Sequence, residues 1–370
     1  MSLKKVSLLL IALILMLTST CAVAEGVPMN LRSVQWDGST VGRCFAPSDF
    51  RIESNVAACT SEQSLGNPLF LTVTAVSAEE DVVMQYSSAR DYIQIVEATT
   101  GNMTTKEHTD GQVDVTTLTP MLRFMYPSLF CDLVASTTIS GVEIIVDAEN
   151  SYPELQDVFK QLARNYYDEV ASMSQMVGIN IDDALIDACE RRYSFDFEGT
   201  PYYMCVAASV QAVQYSMSLP SFYGTMSETD VTWGVPYTYL LLCPQAKYEQ
   251  YYPCFSLFMD NTSASDQFLE ANQRLSNEIR ESVLAARSLD GSSSYCRSVL
   301  RDEASEGDDY SDERFTDYIF DDNDYTLSDG SHIKVDTSYD YVYEDGDGNI
   351  VVSNSAFAEP AGGNRLSPNH

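Results

Sequence analysis

Short runs of β-branched and aromatic residues, fenced by Pro, Gly and Ser, constrain this chain more than any other feature. Phe70 to Val76, Val82 to Tyr86 and Tyr92 to Val96 each have the length and composition of a strand. Val41 to Ala46 is a weaker strand, because Gly42 sits inside it. Val142 to Val146 adds another. The polar, Thr-rich stretch 99–118 reads as a surface loop, and Thr119-Pro120 offers a start for a short helix that Pro127 would interrupt.

The clearest helix is expected from Ser151 to about Met176. Leu155, Val158, Phe159, Leu162, Tyr166, Val170 and Met173 fall on one face at helical spacing. Ser151 and Glu154 have the spacing of a capping box, and Gly178 follows as a stop. A long hairpin comes next: Ala184 to Phe197 leads into Glu198-Gly199, and Tyr202 to Met217 returns. Ile181 to Cys189 within the first arm reads as partly helical. Trp233 to Cys243 and Phe255 to Met259 read as strands, and Phe268, Leu275, Ile279 and Val283 mark a last helix ending near Gly291.

Strands followed by helices at hairpin-like spacing predict an α+β domain over 25–300, a mainly antiparallel sheet packed with helices. In its order of elements the chain resembles the α/β sandwiches of the extrinsic photosystem proteins. That resemblance rests on element order and on no diagnostic residue.

Composition changes after Leu289. Residues 302–347 hold 17 acidic residues and two basic ones, Arg314 and Lys334. An acidic linker is expected at 301–313, where nothing apolar recurs. A small β-rich module is expected at 314–357, with a tight turn at Asp329-Gly330 joining Tyr325–Leu327 to Ile333–Val335. Residues 358–370 read as a frayed tail.

The first two dozen residues have the layout of a cleaved secretory signal. Lys4 and Lys5 precede an apolar run from Val6 to Leu17, and Ala22-Val23-Ala24 supplies small side chains for cleavage after Ala24. The apolar run falls short of the ~20 residues a bilayer needs, and no later segment reads as a membrane span. A secreted or extracellular protein is expected. Lipidation at Cys21 would make it a surface lipoprotein subunit instead.

Without residues 1–24, 19 basic residues face 54 acidic ones, a net charge of −35. Such a surface repels nucleic acid and anionic lipid. Eight of the nine cysteines follow the signal, and none forms a CxxC pair. Export permits disulfides, and Cys44 with Cys59 and Cys243 with Cys254 are the nearest neighbours by sequence.

Most catalytic chemistries lack their residues. The three histidines are His108, His332 and His370. There is no GxSxG, HExxH, GxxxxGK[ST] or GxGxxG, and a Cys44–His108 pair is possible on paper, with a bridged Cys and an exposed His the better reading. A carboxylate-dependent hydrolase such as a glycosidase needs only two acids, which sequence cannot choose among 54. Asp345, Asp347 and Asn349 resemble the front of a calcium loop, but Ile350 replaces the turn glycine and Ala356 stands where Glu is required, so a turn is the better reading. Tyr339, Tyr341 and Tyr343 would share one face of a strand as a contact surface for a ligand. The expectation is a non-catalytic binding or interaction module with no cofactor. Its partner would be an extracellular protein or a small ligand.

Overall fold

The structure is a computed structural model that describes residues 27–58, 67–114, 119–139, 141–174, 179–221, 224–289, 322–336, 341–345, 348–353 and 364–366. The signal region, the acidic stretch 301–313, Cys59 and Tyr339 lie outside the described residues.

In chain order the first strands are β1 (Met29–Trp36), β2 (Ser39–Pro47), β3 (Arg51–Ala58), β4 (Leu69–Val76), β5 (Val83–Ser87) and β6 (Arg90–Thr100). The two-residue strands β7 (Met103–Thr104), β8 (Val113–Asp114) and β9 (Thr119–Pro120) lead to helix α1 (Pro127–Thr138) and strand β10 (Ile145–Asn150). Helix α2 (Gln156–Ser174) precedes β11 (Ile179–Phe197), β12 (Thr200–Ser221), β13 (Gly224–Val235) and β14 (Thr238–Pro244). Helix α3 (Tyr248–Asn261), β15 (Ser263–Ala264) and helix α4 (Asp266–Leu289) follow. The C-terminal strands are β16 (Asp322–Thr326), β17 (His332–Asp336), β18 (Tyr341–Glu344), β19 (Ile350–Ser353) and β20 (Asn364–Arg365).

This is the expected α+β arrangement of antiparallel sheets packed with helices. Strand β12 is its spine. One edge pairs with β11 from Met217 to Thr200. The other edge pairs first with β14, over Tyr202–Ala208, and then with β13, over Gln211–Ser221. The ten-stranded sheet therefore divides into two wings, β14-β5-β4-β3 and β13-β6-β7. Glu198 and Gly199 close the β11–β12 hairpin with φ of 52° and 81°, the double left-handed turn that matches strand twist.

Both faces of the spine are buried. Cys205, Ala207, Tyr239 and Leu241 belong to one core cluster, while Met204, Val206, Ala208 and Leu240 belong to another. Alternate side chains of one strand point to opposite faces, so two cores need apolar residues in both phases. Helix α3 and the six-stranded sheet β15-β2-β1-β19-β18-β20 cover the first face, and α1 covers the second. Helix α2 lays Phe159, Leu162 and Tyr166 on Ile186, Ala188 and Val213.

Several local expectations differ from the structure. Phe255–Met259 lies inside α3, because Tyr248, Tyr252, Phe255 and Phe258 form a stripe that a short apolar run conceals. Ile181–Cys189 is wholly strand, held by register to β12. Pro127 starts α1 instead of interrupting a helix, since the first helical position needs no backbone donor. Thr119-Pro120 is the short strand β9. Ser151 does not cap α2. Asn150 Oδ1 accepts the Tyr152 amide at 3.0 Å, and a 3-10 turn at Pro153–Leu155 intervenes. Gly42, which weakens the β2 signal, is where β15 presses close: a Cβ there would meet Ser263 O at 2.6 Å.

The C-terminal strands do not stand apart as the sequence led us to expect. The β16–β17 hairpin forms about its turn, with Thr326 opposite His332. Yet Tyr325, Leu327, Ile333, Val335, Val342, Ile350 and Val352 all lie in the same core cluster as Phe45, Phe255 and Phe258. Strand β19 pairs with β1 at Met29↔Ile350, and Leu366 from the expected tail is buried there too. Ile350→Ala should therefore lower the stability of the whole chain by about 2–5 kcal/mol. Urea unfolding should show a single transition at a lower midpoint; an unchanged main transition beside a separate minor one would mean an independent module.

Candidate functional site

The residues singled out by sequence do not converge. Tyr343 is 3% exposed and packs inward, so it offers no contact surface. Tyr341 opens β18, and Tyr339 and Asp347 lie outside the described residues. Both carboxylate oxygens of Asp345 accept from Asn349, Oδ1 from its amide at 2.9 Å and Oδ2 from its side chain at 2.8 Å, which closes a turn. Among the described residues, no group of three or more His, Cys, Asp or Glu is placed to hold a metal ion. Cys243 and Cys254 are separate buried thiols, one on β14 and one inside α3, so that pair is unbridged here. Cys44 is also a free buried thiol. His108 accepts from the Ile95 amide and meets Asp110 at 2.6 Å, so its neighbours are not those of Cys44.

Four buried or half-buried acids that sequence reasoning passed over, Glu190, Glu228, Asp230 and Asp91, mark the chemically unusual places. Glu190, on β11, is hydrogen-bonded by Tyr252 at 2.9 Å and by Tyr152 at 3.3 Å. Burial raises its pKa, against the stabilising hydroxyls and the nearby Arg192. The Arg192 guanidinium lies over the rings of Tyr203 and Tyr248, at 4.7 and 4.9 Å, and pairs with Asp147. Glu190 thus ties together β11, α3 and the start of the α2 segment, where Tyr152 takes a left-handed φ of 48°.

Glu228 and Asp230 are two residues apart on β13 and therefore share a face. Lys106 bonds Glu228 at 2.6 Å and Asp114 at 3.4 Å. Tyr215 donates to Asp230 Oδ2 at 3.3 Å, while the buried Oδ1 has no partner. Burial, then the Glu228 charge, pushes Asp230 up to about 8. Burial opposes the Lys106 charge, but the Glu228 bond and the surrounding carboxylates hold its pKa above the ordinary value. Three carboxyls thus face one ammonium, and Asp230 keeps its proton at neutral pH. A proton-bearing acid beside an ionised one is what hydrolytic acid–base work uses. Here, however, Asp230 is 1% and Glu228 6% exposed, and Glu228 is already bonded to Lys106. The cluster is built to fasten the 101–114 segment onto β13. The fourth acid, Asp91 on β6, is hydrogen-bonded by Asn67 and raised to about 6 by burial.

The accessible candidate lies on the outer edge of the sheet. Strand β10 pairs with β11 and, among the described residues, with no strand on its other side. Its first five residues are exposed, including Ile145 at 58% and Val146 at 48%. Arg191 fixes this edge by bonding both Glu149 on β10 and Asp132 on α1. Tyr193, opposite Val146, also reaches Asp132, at 2.8 Å. Leu129 lies one helical turn before Asp132 and is exposed, as are Tyr126 at the start of α1 and Phe197 at the β11–β12 tip. The sequence placed a strand at Val142–Val146, whereas β10 begins at Ile145 and runs to Asn150; that no described strand pairs with its outer edge is a tertiary fact.

No protein-family model and no curated protein matches the chain. Among solved structures it shows a likeness to the solution structure of cyanobacterial PsbP (CyanoP) from Synechocystis sp. PCC 6803. The likeness has 10% identity and a TM-score of 0.17, over 66% of this chain and 97% of that one. At that score it carries no argument.

Two outcomes follow from the buried acids. Glu190→Ala should cost about 2–4 kcal/mol, because it strands two tyrosine hydroxyls over a cavity. Glu190→Gln should cost less, since an amide oxygen still accepts; urea midpoints distinguish them. Asp91 and Asp230 bind protons more tightly in the fold than in the unfolded chain. Their stabilising contribution is complete below the ordinary carboxylate range and is lost as pH rises through about 6 and about 8 respectively. Asp230→Asn should flatten the upper part of that decline, read as urea midpoints across the pH range.

Proposed function

We propose that this chain is an exported, non-catalytic interaction module whose free β10 edge takes an extended segment of a basic partner polypeptide. The observation that carries this is a sheet edge with which no described strand pairs and on which apolar residues, Ile145 and Val146, are exposed. Edge strands are normally blunted with charge, bulges or cover; β10 has an irregularity between Val146 and Ala148 and carries Asp147 and Glu149, but its first two residues are apolar and exposed, and such a stretch invites strand addition. The sign of the partner follows from charge. The whole chain stands at −33, and Glu143, Asp196 and Glu198 flank the edge. Basic side chains on an added strand would be attracted there, whereas the acid-rich residues 302–313 of the chain itself would be repelled.

Export is supported by Lys4-Lys5, the apolar run to Leu17 and the small residues before Glu25. It places the partner outside the cell, with anchoring through Cys21 as the alternative route. A carboxylate-dependent hydrolase is the weaker reading, because Glu228 is neutralised by Lys106 and Asp230 is enclosed.

A synthetic peptide of alternating Lys and Val, with a Glu and Val counterpart as control, tests the proposal. Hydrogen exchange should show the Lys peptide protecting amides of 145–150, with affinity falling as salt rises. Ile145→Asp should weaken binding about tenfold, or ~1.4 kcal/mol. Equal binding of the Glu peptide, protection elsewhere, or β10 amides already protected in the free protein would overturn it.

A further inference from the structure

The triplet Asn-X-Ser/Thr, with X other than Pro, occurs twice in the chain, at Asn102-Met103-Thr104 and at Asn261-Thr262-Ser263. The fold treats the two in opposite ways. Asn261 closes α3 and is 4% exposed, with its Nδ2 donating to the Leu257 carbonyl at 3.1 Å. Thr262 is 1% exposed, and its hydroxyl oxygen accepts the Phe45 amide at 3.1 Å. Ser263 Oγ accepts from Arg43 at 3.2 Å. Each side chain of that triplet is thus hydrogen-bonded within the fold. Asn102 sits instead in the two-residue turn between β6 and β7, where Gly101 takes a φ of 61°. Thr100 pairs with Met103 and Thr99 with Thr104, so the triplet runs from the turn into extended chain. All three of its residues are exposed, Met103 at 63%. Among the described residues β7 pairs with β6 alone, and in the pairing order β10-β11-β12-β13-β6-β7 the turn lies at the end opposite the β10 edge.

We propose that Asn102 carries an N-linked glycan when the chain is exported through a compartment that holds an oligosaccharyltransferase, and that Asn261 carries none. The site rests on the export reading and is independent of docking at β10. The donor is an oligosaccharide joined through pyrophosphate to a lipid. Asn102 Nδ2 attacks the anomeric carbon, a C–N bond forms, and the bond from that carbon to the pyrophosphate oxygen breaks. The lipid pyrophosphate leaves with the electron pair, and one amide proton passes to a base of the transferase. Thr104 supplies the hydroxyl that the transferase reads two positions on. A bulky, hydrophilic group at this turn covers Met103 and shields the β7 edge from pairing, while β10 at the other end stays accessible. On Asn261 the same group would break the Leu257 bond and force α3 off its core, so a chain modified there would not reach this fold.

The full chain with its own leader, and a second version with residues 1–24 replaced by a proven secretion leader, are expressed in yeast or insect cells. Treatment with peptide-N-glycosidase in heavy-oxygen water marks each glycan-bearing position as a labelled aspartate. Label is expected at position 102 and none at position 261. Thr104→Ala should abolish the glycan and its gel shift, and Thr104→Ser should keep both; the side chain is exposed, so yield of folded protein should match wild type. Failure of the first version to leave the cell, with label at 102 in the second, overturns the export reading and leaves the site standing. A second version unlabelled at 102, or labelled at 261 in its folded, secreted form, overturns the site itself.

Discussion

Everything in this fold leans on β12. Its 22 residues run long enough to give one edge entirely to β11 and to divide the other between β14 and β13. A strand that central is buried on both faces, and its middle, from Met204 to Ala208, is apolar or sulfur-bearing without a break. The double burial makes two cores obligatory. One is filled by α3 and the smaller sheet, the other by the single helix α1.

The charges inside the molecule are answers to the same geometry. β11 carries Glu190, Arg191 and Arg192 through the middle of the structure, and alternation sends them to opposite faces. Each finds a partner there: tyrosine hydroxyls for Glu190, Asp132 and Glu149 for Arg191, Asp147 and tyrosine rings for Arg192. Breaking such a set from one side costs more than the set itself contributes, because it leaves an uncompensated buried group. The Lys106 cluster works alike, with one difference: acids outnumber the base, so a proton completes it. Interior charge therefore serves position here, and the accessible chemistry is left to an edge.

Much of this was legible beforehand. The strands around 70–96, the Glu198-Gly199 hairpin, the amphipathic face of α2 and the Asp329-Gly330 turn all follow from local pattern. So does the α+β class. Other readings failed where tertiary contact overrode it. The five residues Phe255–Met259 in α3 are too few to separate helix from strand by period, and Tyr252 becomes decisive only because Glu190 lies opposite. The acids at 228 and 230 lie on a strand, β13, that the sequence reading placed only from Trp233 onward, and their partner Lys106 comes from a loop more than a hundred residues earlier.

The sequence by itself determined which segments pair locally, because turn chemistry and side-chain period act within a few residues. Its charge balance also argues against anionic partners, since that needs only a sum. Only the tertiary structure decided that the C-terminal strands complete the first core and that, among the described residues, no strand pairs with the outer edge of β10. Each of these depends on which distant surfaces are brought into contact, and that is settled by how the two faces of one long strand are covered.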